Sequence, residues 1–447
     1  MVEEPVDTAR IYIPAESDAL YEEAPLSPGG FVRAAARNRH LPYQREALVK
    51  ALIDYNQQIG NDFAAKDAAL TLLQPDVQAV VTGQQPGFMG GPCYTILKAI
   101  SALSIARRYD APAIFWIASE DHDLDEAAST LSVDEAGNLK KYRLDHLIRG
   151  VALEDIRLGE RGFEIVEAFL KEMRVPFELP ANPSYSGTIA TFLSRLFKGT
   201  GLIFIEPKYL KTLCTPFFKK EITETEHVRA LFQKEKDSLA PLGGDLPFPK
   251  EGETSLFLRS DSGKRERIHW VENRFSAGGR KISEEELVAI AEKDPARISS
   301  SVMSRPVMAA QVIPTAAAVL GPGELNYFLG LKNYFRFHGV SMPWLVPRIS
   351  STFIFREDAE LLKGHGVDPV KFIQFRGRGQ EQIAMLKESG ISGKAINRIQ
   401  NLLTPHGKMQ ERVLNWFTFQ SKYSGNLLMD LLDKLDPEDM RHRLLYI

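Results

Sequence analysis

From residue 77 the chain alternates short unbroken apolar runs with stretches of helical period. Residues 77–81 (VQAVV) read as a strand. Residues 94–109 place Ile96, Leu97, Ile100, Leu103 and Ile105 on a helix that opens just after Pro92, and residues 113–117 form the continuous apolar run expected of a parallel strand covered on both faces. The order strand, glycine-rich loop, helix, strand, acidic loop is a βαβ unit. In an open α/β sheet both of its loops fall at the carboxyl edge, where ligands bind.

The same reading predicts an N-terminal helical layer, with Ala47, Leu48, Ala51, Leu52 and Tyr55 at helical spacing over 46–58 and no strand period in the first seventy-odd residues. Past the βαβ unit, 139–144 read as strand and 163–171 as helix within a polar, interrupted stretch. A helix over 189–197 then feeds an apolar strand at 201–205. A charged helix over 223–238, a Gly/Pro loop at 241–252 and alternation at 255–259 and 267–271 follow. Residues 301–356 repeat the sheet-loop-helix-sheet order, with a helix through Phe337 and a strand at 342–346. After Arg356 the pattern is helical and charged to the end.

These shifts divide the chain into 1–129 (N-terminal helices and the first half of an α/β core), 130–185 (a first insertion), 186–207 (core), 208–300 (a second insertion), 301–356 (the second half of the core) and 357–447 (a helical region).

Composition works mainly by exclusion. A hydrophobic content of 44% suits packed cores, and a net charge of -3 from 55 basic and 58 acidic side chains gives no global reason to expect nucleic acid or an anionic membrane as partner. No apolar run approaches the ~20 residues of a spanning helix. The acidic start, MVEEPVDTAR, lacks the apolar core of a signal peptide, so the cytoplasm is the expected location. With only Cys93 and Cys214, a disulfide framework and a four-cysteine zinc site are both ruled out.

Candidate chemistry gathers at three places. The loop 83–92 holds four glycines and two prolines, so its N–H groups can approach a phosphate or carboxylate without Cβ obstruction. Gln84 and Gln85 add side-chain amides, and Thr82, Gly83, Gly87, Tyr94 and Lys98 share the same mouth. The loop matches neither the dinucleotide fingerprint nor the P-loop pattern, and a tight turn is the competing reading. Ser119-Glu120-Asp121-His122-Asp123, just past the apolar strand, offers a general base in His122 or in an Asp of raised pKa, or a carboxylate pair for magnesium. A solvated loop capping the next helix is the alternative. Gly321-Pro322-Gly323-Glu324 opens a helix with Glu324 in its first turn, which a cap alone would explain.

Arg305 and Arg348 each lie beside a proline, in fixed positions suited to bidentate carboxylate or phosphate binding, with surface salt bridges as the plainer reading. Cys93 has no local His or Asp partner and reads as a packed thiol. Leu428, Leu431, Leu432 and Leu435 form a packing or self-association face.

TGQQPGFMGGPCYTILKAISA, FWIASEDHDLDE, the stretch from Arg305-Pro306 through Ile313-Pro314-Thr315 to GPGELNYF, Met342-Pro343 with VPRIS, GKMQERVLNW and the closing LLYI together resemble the cysteine ligase family of bacillithiol biosynthesis, over nearly the whole chain. The resemblance implies an α/β fold: a Rossmann-like parallel sheet core, two inserted connecting subdomains, and a C-terminal α-helical coiled-coil region that forms a homodimer. It also implies a reaction, the joining of L-cysteine through its carboxylate to the amine of glucosaminyl malate. The positions that carry over are Thr82, Gly83, Gln84, Gln85, Ser119, Glu120, Asp121, His122, Gly321, Pro322, Gly323 and Glu324. The chain departs from the family at Cys93, where an aliphatic residue is expected, and in a helical segment after Arg356 that is short for a long coiled coil.

For that reaction a carboxylate needs activation, most simply by ATP. The glycine loop would hold the nucleotide phosphates, magnesium would sit near Asp121 or Asp123, His122 would take the proton of the attacking ammonium, and Arg305 and Arg348 would clamp the malate carboxylates. Two other classes suit the same residues: a metal-dependent phosphohydrolase, and a non-catalytic nucleotide- or sugar-binding partner of a ligase.

Overall fold

The computed structural model describes residues 2–6, 21–134, 136–145, 147, 149–178, 184–242, 246–374, 379–405, 410–434, 436 and 442–447. Its centre is a parallel sheet of five strands, in chain order Ala79–Gln84, Ala113–Ile117, Ile203–Ile205, Thr315–Leu320 and Trp344–Pro347. In space the order is fifth, fourth, first, second, third. The chain therefore winds outward in both directions from the boundary between the first and fourth strands, which is where a doubly wound sheet opens its ligand crevice. Every residue of Ala113–Ile117, Ile203–Ile205 and Thr315–Leu320 is buried, as unbroken apolar runs require of strands covered on both faces.

Local chemistry closes the sheet at this boundary. Thr82 donates its hydroxyl to the Val319 carbonyl at 2.8 Å, tying the first strand to the fourth. A Cβ at Gly83 would lie 2.5 Å from the Trp116 carbonyl oxygen, so glycine is what lets the first and second strands meet there. The helix Cys93–Arg108 joins these two strands and is buried on nearly all sides from Cys93 to Ala106. An all-round apolar helix needs cover on more than one face. The sheet supplies one, and the C-terminal helix Leu427–Lys434 supplies another. Leu428, Leu431 and Leu432 are buried within the chain, so these side chains are not open to a second copy; Leu435 lies outside the described residues.

The helices Gly30–Asn38, Arg45–Gln58 and Phe63–Thr71 form the N-terminal layer and pack on the core sheet. Two antiparallel sheets branch from the core. Ser129–Val133 pairs with Leu139–Arg143, and a five-strand sheet runs in the order Arg280–Ile282, Arg274–Ala277, Arg265–Val271, Glu253–Arg259, Ile298–Ser300. Beyond Arg356, four short helices gather a second apolar cluster around Leu362, Phe372, Leu386 and Ile399.

Several elements differ from the sequence expectation. The charged helix expected over 223–238 is Thr225–Leu239, and a further helix, Thr215–Thr223, precedes it; the Thr225 hydroxyl bonds back to the carbonyls of Glu221 and Ile222 at the junction. The helix through Phe337 is likewise split into Pro322–Phe328 and Lys332–Phe337. Residues of both termini are strands: Val2–Val6 pairs antiparallel with His442–Tyr446, which pairs in parallel with Ser351–Ile354. A strand whose partner comes from the far end of the chain leaves no local turn signal to read.

Candidate active site

A cavity of ≈ 640 Å³ opens at the switch point. The end of the first strand contributes Thr82, Gly83, Gln84 and Gln85, and the end of the fourth leads into Gly321, Pro322, Gly323 and Glu324. Tyr94 and Lys98 enter from the first turns of the buried helix, Asp121 and Glu126 from the acidic loop and the short helix after it, and Arg305, Arg348 and Arg412 from three further segments. Its size is that of a small-molecule site.

Lys98 is the pivot between the two strand ends. Its ammonium donates to the Gly83 carbonyl at 2.9 Å and to Gln84 Oε1 at 2.8 Å, and pairs with Glu324 Oε2 at 2.5 Å. Glu324 Oε2 also accepts the Gly321 N–H at 2.7 Å, so one lysine and one carboxylate fix both loops at the crevice. Burial pushes the Lys98 amine below its ordinary range, and the Glu324 carboxylate opposes that shift.

Arg348 is committed elsewhere. Its guanidinium donates to Glu411 Oε1 and to the Ile349 carbonyl, each at 2.8 Å, in a buried ion pair. Burial alone would raise the Glu411 carboxyl, but the Arg348 charge and hydrogen bond bring it below its usual value. A guanidinium so engaged is a poor clamp for substrate carboxylates, which corrects the expectation for Arg348. Arg305 differs: its nearest carboxylate oxygen, on Asp121, is 4.0 Å away, and its buried Nε has no hydrogen-bond partner among the described residues. Arg412, which the sequence reading passed over, joins it on the cavity wall and has no ion-pair partner among the described residues.

The acidic loop divides into separate environments. Ser119 and Glu120 are buried beneath the cavity lining: Ser119 donates to Glu154 Oε2 at 2.9 Å, and Glu120 pairs with Lys211. Asp121 reaches the cavity, where burial pushes its carboxyl up but Arg305 and Arg265 more than offset this and hold it low. The Asp123 carboxylate caps the short helix Leu124–Ala127 by accepting the N–H groups of Asp125 and Glu126. His122 stands beside the antiparallel sheet, with its Nδ1 3.1 Å from Arg265 Nη1. Arginine can only donate, so Nδ1 is the acceptor and the neutral ring carries its proton on Nε2. Burial, then the Arg265 charge, lowers the His122 pKa against the pull of Asp121. Arg265 is itself lowered to about 10 by burial. His122 in this tautomer offers no free lone pair, a correction to its reading as a general base.

The family model described as bacillithiol biosynthesis BshC, N-terminal Rossmann-like domain, matches residues 9–349, and that for the BshC C-terminal coiled-coil domain matches 386–447. The chain belongs to the BshC family of bacillithiol biosynthesis. Among its relatives, a protein of Thermus thermophilus named putative cysteine ligase BshC is 32% identical over 355 residues, covering 77% of this chain and 70% of the relative. Proteins of the same name from Halalkalibacterium halodurans and Bacillus cereus strain Q1 are 28% and 27% identical, over 77% and 92% of this chain and 68% and 82% of theirs.

Within this chain, the glycine loop meets the cavity only at its start. Gly87 lies outside the lining, because a Cβ there would come 2.8 Å from Gly91 Cα and the turn closes on itself. The N–H groups of Gly90, Gly91 and Cys93 are bonded to the carbonyls of Gly87, Phe88 and Leu414. Asn415 Nδ2 donates to the Met89 and Gly91 carbonyls, each at 3.0 Å. Residues 87–92 are therefore a packed turn, and of the expected phosphate cradle only Gly83, Gln84 and Gln85, just after Thr82, line the cavity. Cys93 is fully buried, and burial raises its thiol well above the ordinary value, as befits a packed side chain. The residues that sequence reasoning missed, Glu126, Arg412 and Arg265, fall in or beside stretches already singled out: Glu126 ends FWIASEDHDLDE, and Arg412 lies in GKMQERVLNW.

Proposed function

We propose that this chain is a ligase that joins the carboxylate of L-cysteine to the amine of glucosaminyl malate, completing bacillithiol. Family membership across 9–349 and 386–447 carries the reading, and the relatives named putative cysteine ligase BshC agree with it. A cleft at the switch point of a doubly wound sheet gives it a place to act.

The cavity offers donors for the carboxylate groups that both substrates carry. Arg305 and Arg412 offer guanidinium donors, and Gly323 leaves open space where a side chain would otherwise stand. ATP would supply the activation that turns the cysteine carboxylate into an acyl donor. Lys98 and Glu324 hold the strand ends in register, so that ligand groups meet a preformed surface. For magnesium the fit is poor: Asp123 caps a helix, Asp121 faces Arg305, and no group of three metal-ligating side chains occurs among the described residues. The metal-dependent phosphohydrolase reading finds no such ligand set among the described residues.

The test is direct. Purified full-length protein would be incubated with L-cysteine, glucosaminyl malate and ATP, and the products separated by mass spectrometry. The expected outcome is the amide product with matching nucleotide consumption. Folded protein that binds either substrate yet forms no amide would favour the binding-partner reading.

A further inference from the structure

This inference rests on the ligase reading and concerns which group handles the acceptor amine. The cavity's carboxylates are not equivalent. Glu324 is held by Lys98, and Asp121 faces Arg305, but Glu126 forms no ion pair among the described residues. Glu126 Oε1 instead accepts the Tyr94 hydroxyl at 3.2 Å, and the Tyr94 oxygen in turn accepts Gln84 Nε2 at 3.3 Å. The chain of donors has a direction: amide to phenol, phenol to carboxylate. It orients Glu126 as an acceptor without neutralising it.

We propose that Glu126 receives the acceptor amine of the sugar substrate as its ammonium ion and takes one proton from it. A carboxylate without an ion-pair partner among the described residues, on a cavity wall whose other carboxylates, Asp121 and Glu324, each face a cation, is complementary to a cationic ligand group. The step balances simply. The ammonium gives one proton to Glu126 and becomes a free amine. The amine nitrogen then forms the C–N bond to the acyl carbon, which a nucleoside triphosphate has activated, as the C–O bond to the leaving group breaks. The second nitrogen proton passes to solvent.

Packing around the carboxyl raises the Glu126 pKa above its ordinary value, with the Asp123 and Asp121 charges adding to the shift and the Tyr94 and Gln85 hydrogen bonds opposing it. The Glu126 side chain is exposed at the cavity, so a substrate group can reach it. The charged groups that act on it are Asp123, Asp121 and the Lys98 ammonium, which is itself paired with Glu324; Arg305, Arg348 and Arg412 line the same cavity. His122 is the obvious rival, but its Nδ1 is occupied by Arg265.

The test compares wild type, Glu126→Gln and Glu126→Asp by initial rates of amide formation as pH is varied. Glu126→Gln should lose about 100-fold or more in rate, the usual scale for a removed general base, with a raised KM for the amine and no acid limb in its pH profile. Glu126→Asp should restore part of the rate together with that limb. A Glu126→Gln enzyme with the wild-type pH profile and amine KM would overturn the assignment. Should the wild type form no amide, the ligase reading falls, and calorimetry still judges Glu126. Wild type should then bind glucosaminyl malate more tightly than its N-acetylated form, and Glu126→Gln should lose that preference; equal preference in both proteins would sink the proposal.

Discussion

The loops 83–92 and 321–324 each follow a buried strand at the switch point and each lead into a helix, yet they use glycine in opposite ways. In the first, Gly87 and Gly91 pack backbone to backbone, the N–H groups of Gly90, Gly91 and Cys93 are bonded internally or to Leu414, and Asn415 holds two of the carbonyls. In the second, a Cβ at Gly323 would meet nothing within 4 Å, and the loop lines the cavity. Glycine content marks a place where backbone comes close to something. Whether that partner is a ligand or another stretch of backbone depends on what the rest of the chain brings there.

The C-terminal segment decides the difference, and severing it gives the largest expected effects. Glu411→Ala would leave the buried Arg348 guanidinium without its carboxylate and should cost about 3–5 kcal/mol in denaturant unfolding at neutral pH. The Glu411 carboxyl is lowered in the folded state, so the stability it contributes is present above its unfolded pKa and is lost as pH falls through the folded one. The gap between variant and wild type should therefore narrow in acid; a gap independent of pH would count against the ion pair as its source.

Asn415→Ala should come next, at about 2–3 kcal/mol, because the Met89 and Gly91 carbonyls lose a buried donor. Alanine at each glycine then tests the loops directly. Gly87→Ala drives a Cβ against Gly91 Cα and should destabilise by about 1–3 kcal/mol, whereas Gly323→Ala should stay within about 0.5 kcal/mol of wild type. Equal effects on melting would erase the distinction between a packed turn and an open one.

The smallest effect concerns one ring. In Arg265→Ala, His122 loses both a donor and a repelling charge, so its pKa should rise, and nitrogen chemical shifts should no longer hold the ring as the Nε2–H tautomer. An unchanged His122 titration would remove Arg265 from that role.

Much of this architecture is visible in the chain itself. The strand 113–117 and the helix after Pro92 lie where their periods place them, because an unbroken apolar run and a 3.6-residue repeat are local consequences of burial. The strands at 2–6 and 442–446 were not legible, since each is stabilised by a partner remote in sequence. The site divides in the same way. Lys98, Glu324, Gln84 and Asp121 stood in motifs that adjoin the strand ends and do meet at one cavity. Glu126, Arg412 and Arg265 gain their importance only from what surrounds them.

The sequence by itself determined the doubly wound core, the family, and the edge of the sheet at which a ligand would be received, because hydrophobic period and motif order are properties of neighbouring residues. Only the tertiary structure decided which charged groups remain available there. Arg348 is consumed by Glu411, Glu120 by Lys211 and Nδ1 of His122 by Arg265, while Arg305 reaches only Asp121, at 4.0 Å, and Glu126 faces the cavity with no ion pair among the described residues. Each of those pairings joins segments far apart in the chain, and the state of an ionisable group follows from its nearest charges and its burial, whatever their distance along the sequence.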